Sequence, residues 1–244
     1  MTARIRSIDY DHDGHALRGE LAWNDEWTEP RPCVVVVHDA MKSTQGFEEE
    51  RAVTLAGLGY AGFALDVYGA GITGADTEDS YRLMKPFQDD RHFLQARLLR
   101  GLRAAADLPE VDATRMAAIG YCFGGMCVLD LARMNAPLLG VGSFHGLLTP
   151  PLWASGPPAE AIRPKVLAMH GWDDPYVLPA TLEPFAREMS ERDADWQLLA
   201  FGNTVHSFTN IKYDMPDEGV AYDANADRRS WATLTRFLEE LFPD

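Results

Sequence analysis

The run Met116-Ala-Ala-Ile119-Gly-Tyr-Cys122-Phe-Gly124-Gly125-Met-Cys127-Val-Leu sets an apolar strand directly against an apolar helix, with no room for a loop between them. That junction is a sharp reversal. Gly120, Gly124 and Gly125 permit it, because glycine accepts strained dihedral angles and lets a helix approach a strand closely. Cys122 stands at the apex, so the run reads as a nucleophile elbow with sulfur in place of oxygen. Unpaired N–H groups and the positive dipole end of the helix favour thiolate over thiol there.

The rest of the chain alternates strand and helix around this junction. Residues 3 to 10 and 15 to 23 form a hairpin about a turn at Asp11-His-Asp13-Gly14. Val34-Val-Val-Val37 is a β-branched run suited to a strand buried on both faces, and residues 46 to 58 have helical spacing. Further strands are expected at Tyr60 to Leu65, Arg115 to Ile119, Leu138 to Phe144, Val166 to His170 and Trp196 to Phe201. A long helical stretch, Thr77 to Ala106, is expected to be interrupted near Pro86. The elbow helix should run to about Arg133, with others near Ala180 to Arg192 and Ala221 to Leu241. This order predicts an α/β protein: one domain over 1–244, with a mostly parallel central sheet, helices on both faces and a short N-terminal hairpin. The Pro-rich segment Thr149 to Pro158 is expected as a surface loop or partial cover over the site.

Composition excludes several kinds of partner. With 37 acidic against 22 basic residues in 244, and a net charge of −15, the chain repels phosphate backbones and anionic lipid surfaces, so neither nucleic acid nor membrane is expected. The N-terminal ten residues lack the apolar core of a secretory signal and no later stretch is long enough to span a bilayer, which predicts a soluble cytoplasmic protein; a monomer or a homodimer is expected. Cys33, Cys122 and Cys127 make neither a disulfide framework nor a zinc pair, and no metal or cofactor is expected.

In open parallel sheets the working groups gather beyond the carboxyl ends of the strands. Those ends carry His38-Asp39, Cys122, Asp173-Asp174 and His206. Nucleophile, acid and histidine follow one another in the order of the α/β-hydrolase triad. His206 can act as base to the thiol, with Asp173 or Asp174 orienting its other ring nitrogen.

These residues resemble the dienelactone hydrolase family, whose elbow reads GYC, an apolar residue and GG, as Gly120-Tyr-Cys122-Phe-Gly124-Gly125 does. Further matches are Val34 to Ala40, Ala64-Leu-Asp66-Val-Tyr68-Gly69, Asp174-Pro-Tyr-Val177 and His206-Ser207-Phe208. The resemblance covers nearly the whole chain. It implies an α/β-hydrolase fold and a triad of Cys122, His206 and Asp174, the last preferred to Asp173 because the family's acid stands three residues before a valine. It also implies an oxyanion hole from the N–H groups of Ala40 and Phe123. Asp39 takes the place of a family glutamate that holds the resting thiol, one methylene shorter. Members acting on dienelactone itself carry an arginine four residues after the catalytic histidine, where this chain has Asn210, and a second where it has Ala75-Asp76-Thr77-Glu78. Asn210, Tyr68 and Arg82 are the candidate substrate contacts.

Other residues have plainer readings. Cys33 and Cys127 suit core packing, His38, His145 and His170 suit structural roles, and Asp66 suits a cap. The expected activity is hydrolysis of a small ester or lactone through an acyl-cysteine intermediate. A general carboxylesterase or thioesterase is the first alternative, and a non-enzymatic thiol sensor or binding module on the same fold is the second.

Overall fold

The computed structural model describes residues 3–42, 46–151 and 160–243. The expected cover at residues 149–158 lies largely outside the described residues. Ten strands and six helices are present among those described: β1 (Ala3–His12), β2 (His15–Asn24), β3 (Arg31–Val37), α1 (Phe47–Gly57), β4 (Ala61–Leu65), α2 (Thr77–Asp89), α3 (Arg91–Ala106) and β5 (Val111–Tyr121) come first. They are followed by α4 (Phe123–Arg133), β6 (Gly140–Phe144), β7 (Lys165–Gly171), α5 (Leu182–Glu191), β8 (Trp196–Phe201), β9 (Asp214–Met215), β10 (Val220–Ala221) and α6 (Ala224–Leu241). The chain falls into two compact units, Met1–Ile119 and Gly120–Asp244. The central sheet is mostly parallel, as the alternation of strand and helix requires.

In the first unit the strand order is β1-β2-β4-β3-β5. The hairpin β1–β2 closes through Asp13-Gly14, both with positive φ (53° and 75°), and keeps His12 opposite His15. β2 pairs antiparallel with β4 and β3 parallel with β4, from Cys33 opposite Ala61 to Val37 opposite Leu65. Val34 to Val37 are all fully buried, each worth about 1.5–3 kcal/mol as an upper bound.

The break in the long helical stretch falls at Asp90, not Pro86. Pro86 lies inside α2 on its exposed side, where the carbonyl it leaves without a partner can be solvated. Asp90 leaves the helical region (φ −120°, ψ 86°), and its carboxylate accepts from Phe93 N at 2.9 Å to cap α3.

In the second unit β6, β7 and β8 are consecutive parallel neighbours, with Val166 opposite both Val141 and Trp196. The expected helix from Ala221 begins instead at Ala224, capped by Asp223, whose carboxylate accepts from Asn225 N and Ala226 N. Val220–Ala221 are taken by the short pair β9–β10, joined by a 3-10 turn at Pro216–Glu218. Two-residue strands are too short to show a period, which is why they are silent in the sequence.

Candidate active site

β5 ends at Tyr121 and α4 starts at Phe123, leaving Cys122 alone to make the reversal at φ 53°, ψ −112°. That backbone is costly for a residue with a Cβ, and surrounding contacts must hold it. A Cβ at Gly120 would stand 2.1 Å from the Gly124 carbonyl oxygen, and one at Gly125 would meet the Gly146 backbone at 2.7 Å. Glycine is therefore a steric requirement of the turn. The Cys122 N–H points to the end of β6, reaching Phe144 O at 3.0 Å and His145 Nδ1 at 3.2 Å. Cys122 is half-buried, whereas Cys33 and Cys127 are fully buried, and burial pushes the Cys33 thiol up to about 12.

His206 follows β8 and is fixed by its own backbone. Its N–H donates to Gly219 O at 2.9 Å and its carbonyl accepts from Ala221 N at 3.1 Å, which ties it beside Val220 in β10. Nδ1 donates to Asp174 Oδ2 at 2.7 Å, and the charge of Cys122 acts on the same imidazole. Asp174 is buried in the turn after β7, where its other oxygen accepts from Tyr176 N at 2.8 Å and Val177 N at 3.2 Å. These contacts separate the two adjacent acids: Asp173 is exposed, while Asp174 meets the histidine. Burial is the largest influence on His206 and lowers its pKa, but the Cys122 thiolate and the Asp174 carboxylate together outweigh it and raise the value to about 10.

The first unit holds the remaining candidates. Ala40 is buried, and its carbonyl accepts from Tyr68 OH at 3.0 Å. Asp39 Oδ1 accepts from Met41 N at 2.8 Å, which commits one carboxylate oxygen to its own loop. Tyr68 is buried between the edge of His38 (centroids 4.6 Å apart) and the face of Phe87 (5.8 Å). His38 Nδ1 donates to Asp39 O at 2.6 Å and Nε2 accepts from Val67 N at 3.2 Å. Burial, reinforced by the Lys42 charge, pushes His38 down to about 4, so it stays neutral in this structural role. Asp66 accepts from Arg18 N and Gly69 N, both at 2.9 Å, in keeping with a cap. It also pairs with buried Lys42, a partner the sequence does not announce. Arg82 is 81% exposed and pairs with Asp79 on its own helix.

In the second unit Asn210 is buried and turns its carbonyl to Lys212 N at 3.1 Å. His170 is buried, with neither ring nitrogen reaching a hydrogen-bond partner of good geometry among the described residues. Three residues not expected at the site surround the histidine. Tyr176 sets its ring against His206 (centroids 5.1 Å apart), His145 does the same at 5.0 Å, and Thr209 Oγ1 lies 2.9 Å from His145 Nε2. The only signals for them were positions at strand ends or within two or three residues of Asp174 and His206. Among the described residues no cluster of three or more His, Cys, Asp or Glu is arranged to hold a metal ion, and no helix is long and apolar enough to cross a membrane.

Comparison with known proteins places this geometry in a family. A solved dienelactone hydrolase-like promiscuous phosphotriesterase from metagenomic libraries superposes with a TM-score of 0.91 at 36% identity, covering 99% of this chain and 100% of that one. An uncharacterized protein of Caenorhabditis elegans is 38% identical over 61% of this chain and 94% of its own length. A probable 2-oxo-3-(5-oxofuran-2-ylidene)propanoate lactonase of Bradyrhizobium is 24% identical over 84% of this chain and 82% of its own. The dienelactone hydrolase family profile matches residues 18–242, and the chain belongs to that family of α/β hydrolases.

Proposed function

We propose that this protein hydrolyses carboxylic esters or lactones through an acyl-cysteine intermediate, with Cys122 as nucleophile, His206 as acid and base, and Asp174 as the group that orients the histidine. The observation that carries the reading is the 2.7 Å hydrogen bond from His206 Nδ1 to buried Asp174 Oδ2, which orients the imidazole, with Cys122 at the elbow as a group whose charge acts on that same ring. The Cys122 thiolate attacks the carbonyl carbon, and the C=O electron pair moves to oxygen. Phe123 N–H, in the first turn of α4, donates to that oxyanion with the helix dipole behind it, and the family resemblance assigns Ala40 N–H as the second donor. Collapse breaks the C–O bond to the leaving group, which takes the proton from the His206 imidazolium. Water then gives a proton to His206 and attacks the thioester, releasing the acid and regenerating the thiolate.

The substrate expected here is a neutral ester or lactone. Asn210 stands where carboxylate-binding relatives carry arginine, and Arg82 is spent on Asp79 at the surface. Phosphotriesters are a second class to try, because the 36%-identical structure is a promiscuous phosphotriesterase and a phosphoryl oxyanion needs the same donors.

The test is turnover of a neutral aryl ester together with mass spectrometry of the trapped protein. Wild type forms an acyl adduct on Cys122 and releases it, and Cys122→Ala does neither. Full turnover by Cys122→Ala overturns the nucleophile assignment. An adduct that never turns over favours the thiol sensor or binding module.

A further inference from the structure

We infer that His145 and Thr209 are positioning residues of the thiol elbow: Thr209 selects one tautomer of His145, and that tautomer holds the Cys122 backbone in its strained conformation. This rests on the proposed role of Cys122 as nucleophile.

A backbone N–H can only donate. Because Cys122 N–H meets His145 Nδ1 at 3.2 Å, Nδ1 must present its lone pair, and the ring proton must sit on Nε2. Nε2 lies 2.9 Å from Thr209 Oγ1, so the threonine oxygen accepts that proton's hydrogen bond. The order is therefore Cys122 N–H to His145 Nδ1, and His145 Nε2–H to Thr209. His145 and Thr209 are only 2% and 3% exposed, so water does not readily replace either contact.

Both ends of this link are strained. Cys122 has φ 53°, and His145 has φ 40°, held by His145 N donating to Met169 O at 2.8 Å. Such backbone persists only where several contacts over-determine it. Phe144 O supplies one restraint on the Cys122 N–H and His145 supplies the other. The His145 ring is further wedged edge-on against His206 (5.0 Å) and Phe208 (5.1 Å). The residue that holds the elbow thus also packs against the base, so a displaced His145 ring disturbs both members of the Cys122–His206 pair.

Removing the Thr209 acceptor breaks the 2.9 Å hydrogen bond that Nε2–H makes to it, and with it the preference for the Nε2 tautomer. The ring escapes by shifting its proton to Nδ1, which then opposes the Cys122 N–H, or by moving away from it. In either case the Cys122 N–H loses one of its two acceptors while Cys122, His206 and Asp174 are all retained.

The experiment compares Thr209→Val with Thr209→Ser, and His145→Phe with His145→Asn, whose amide oxygen can replace Nδ1 as acceptor. Each is assayed for kcat and KM on the neutral aryl ester and for the pH dependence of iodoacetamide alkylation at Cys122. Thr209→Val and His145→Phe should lower kcat about tenfold with KM within about twofold, and move the alkylation midpoint to higher pH. Thr209→Ser and His145→Asn should recover most of that loss. Wild-type kcat and alkylation in Thr209→Val overturn the inference, as does a Thr209→Ser variant impaired as much as Thr209→Val, which would assign the effect to packing of the methyl group. If His145→Phe fails to fold, the Thr209 pair decides. Cys122→Ala separates the two claims: inactive Cys122→Ala with fully active Thr209→Val defeats this inference alone, and active Cys122→Ala defeats the reading beneath it.

Discussion

Asp174 Oδ2 accepts the Nδ1–H of His206 at 2.7 Å while its other oxygen is held by the N–H groups of Tyr176 and Val177. The carboxylate is therefore fixed from two sides before it touches the histidine. An acid on a rigid turn can orient a ring in a way that its exposed neighbour Asp173 cannot.

The first prediction concerns the charge on His206. Its folded pKa, about 10, lies above the ordinary 6.5, so the folded state holds the extra proton between those values. The stability this group contributes is full below pH 6.5 and is lost as pH rises through about 10. Imidazole nitrogen NMR should show a depressed His206 pKa in Cys122→Ala and in Asp174→Asn, and urea denaturation should show the penalty of Asp174→Asn shrinking above pH 10. An unchanged His206 titration in both variants would contradict a His206 pKa raised by these two neighbours.

A second prediction tests the elbow. Gly120→Ala places a methyl 2.1 Å from the Gly124 carbonyl oxygen, so backbone must move. The expected cost is about 1–3 kcal/mol in denaturant unfolding, with loss of activity beyond what reduced folded population explains. A variant as stable and active as wild type would show that the turn tolerates a Cβ.

Buried charge gives a third. Lys42 Nζ lies 2.6 Å from Asp66 Oδ1, with side chains 8% and 1% exposed. Lys42→Met strands the carboxylate and should cost about 3–5 kcal/mol, whereas Lys42→Met with Asp66→Asn should be the more stable of the two variants, since an amide oxygen still accepts from Gly69 N. Chemical denaturation of both variants gives the comparison, and equal stability would show that the pair is not coupled.

A fourth concerns substrate charge. A neutral aryl ester should exceed its carboxylate-bearing analogue by about tenfold or more in kcat/KM, because the charge-assisted contacts that arginine would supply are absent at Asn210. Preference for the anion would direct attention to a cation other than Arg82.

Local signals carried far in this chain. The GYCFGG turn and the valine run are short-range patterns, and each marks an element that the structure contains. The break expected near Pro86 falls instead at Asp90, where a carboxylate cap starts the next helix, because proline is a louder sequence signal than an aspartate cap. The pair β9–β10, which ties His206 to Val220, has no periodicity to read.

The sequence by itself determined that a cysteine sits at a glycine-built strand-to-helix turn, because steric limits on φ, ψ and Cβ are local and follow residue type. Only the tertiary structure decided that the Asp174 carboxylate is held by Tyr176 and Val177 N–H as well as by His206, that Asn210 turns to its own loop, and that His145 reaches the Cys122 backbone. The contacts of Asp174 with His206 and of His145 with Cys122 join segments tens of residues apart, and they depend on strand register and loop closure that no local pattern encodes.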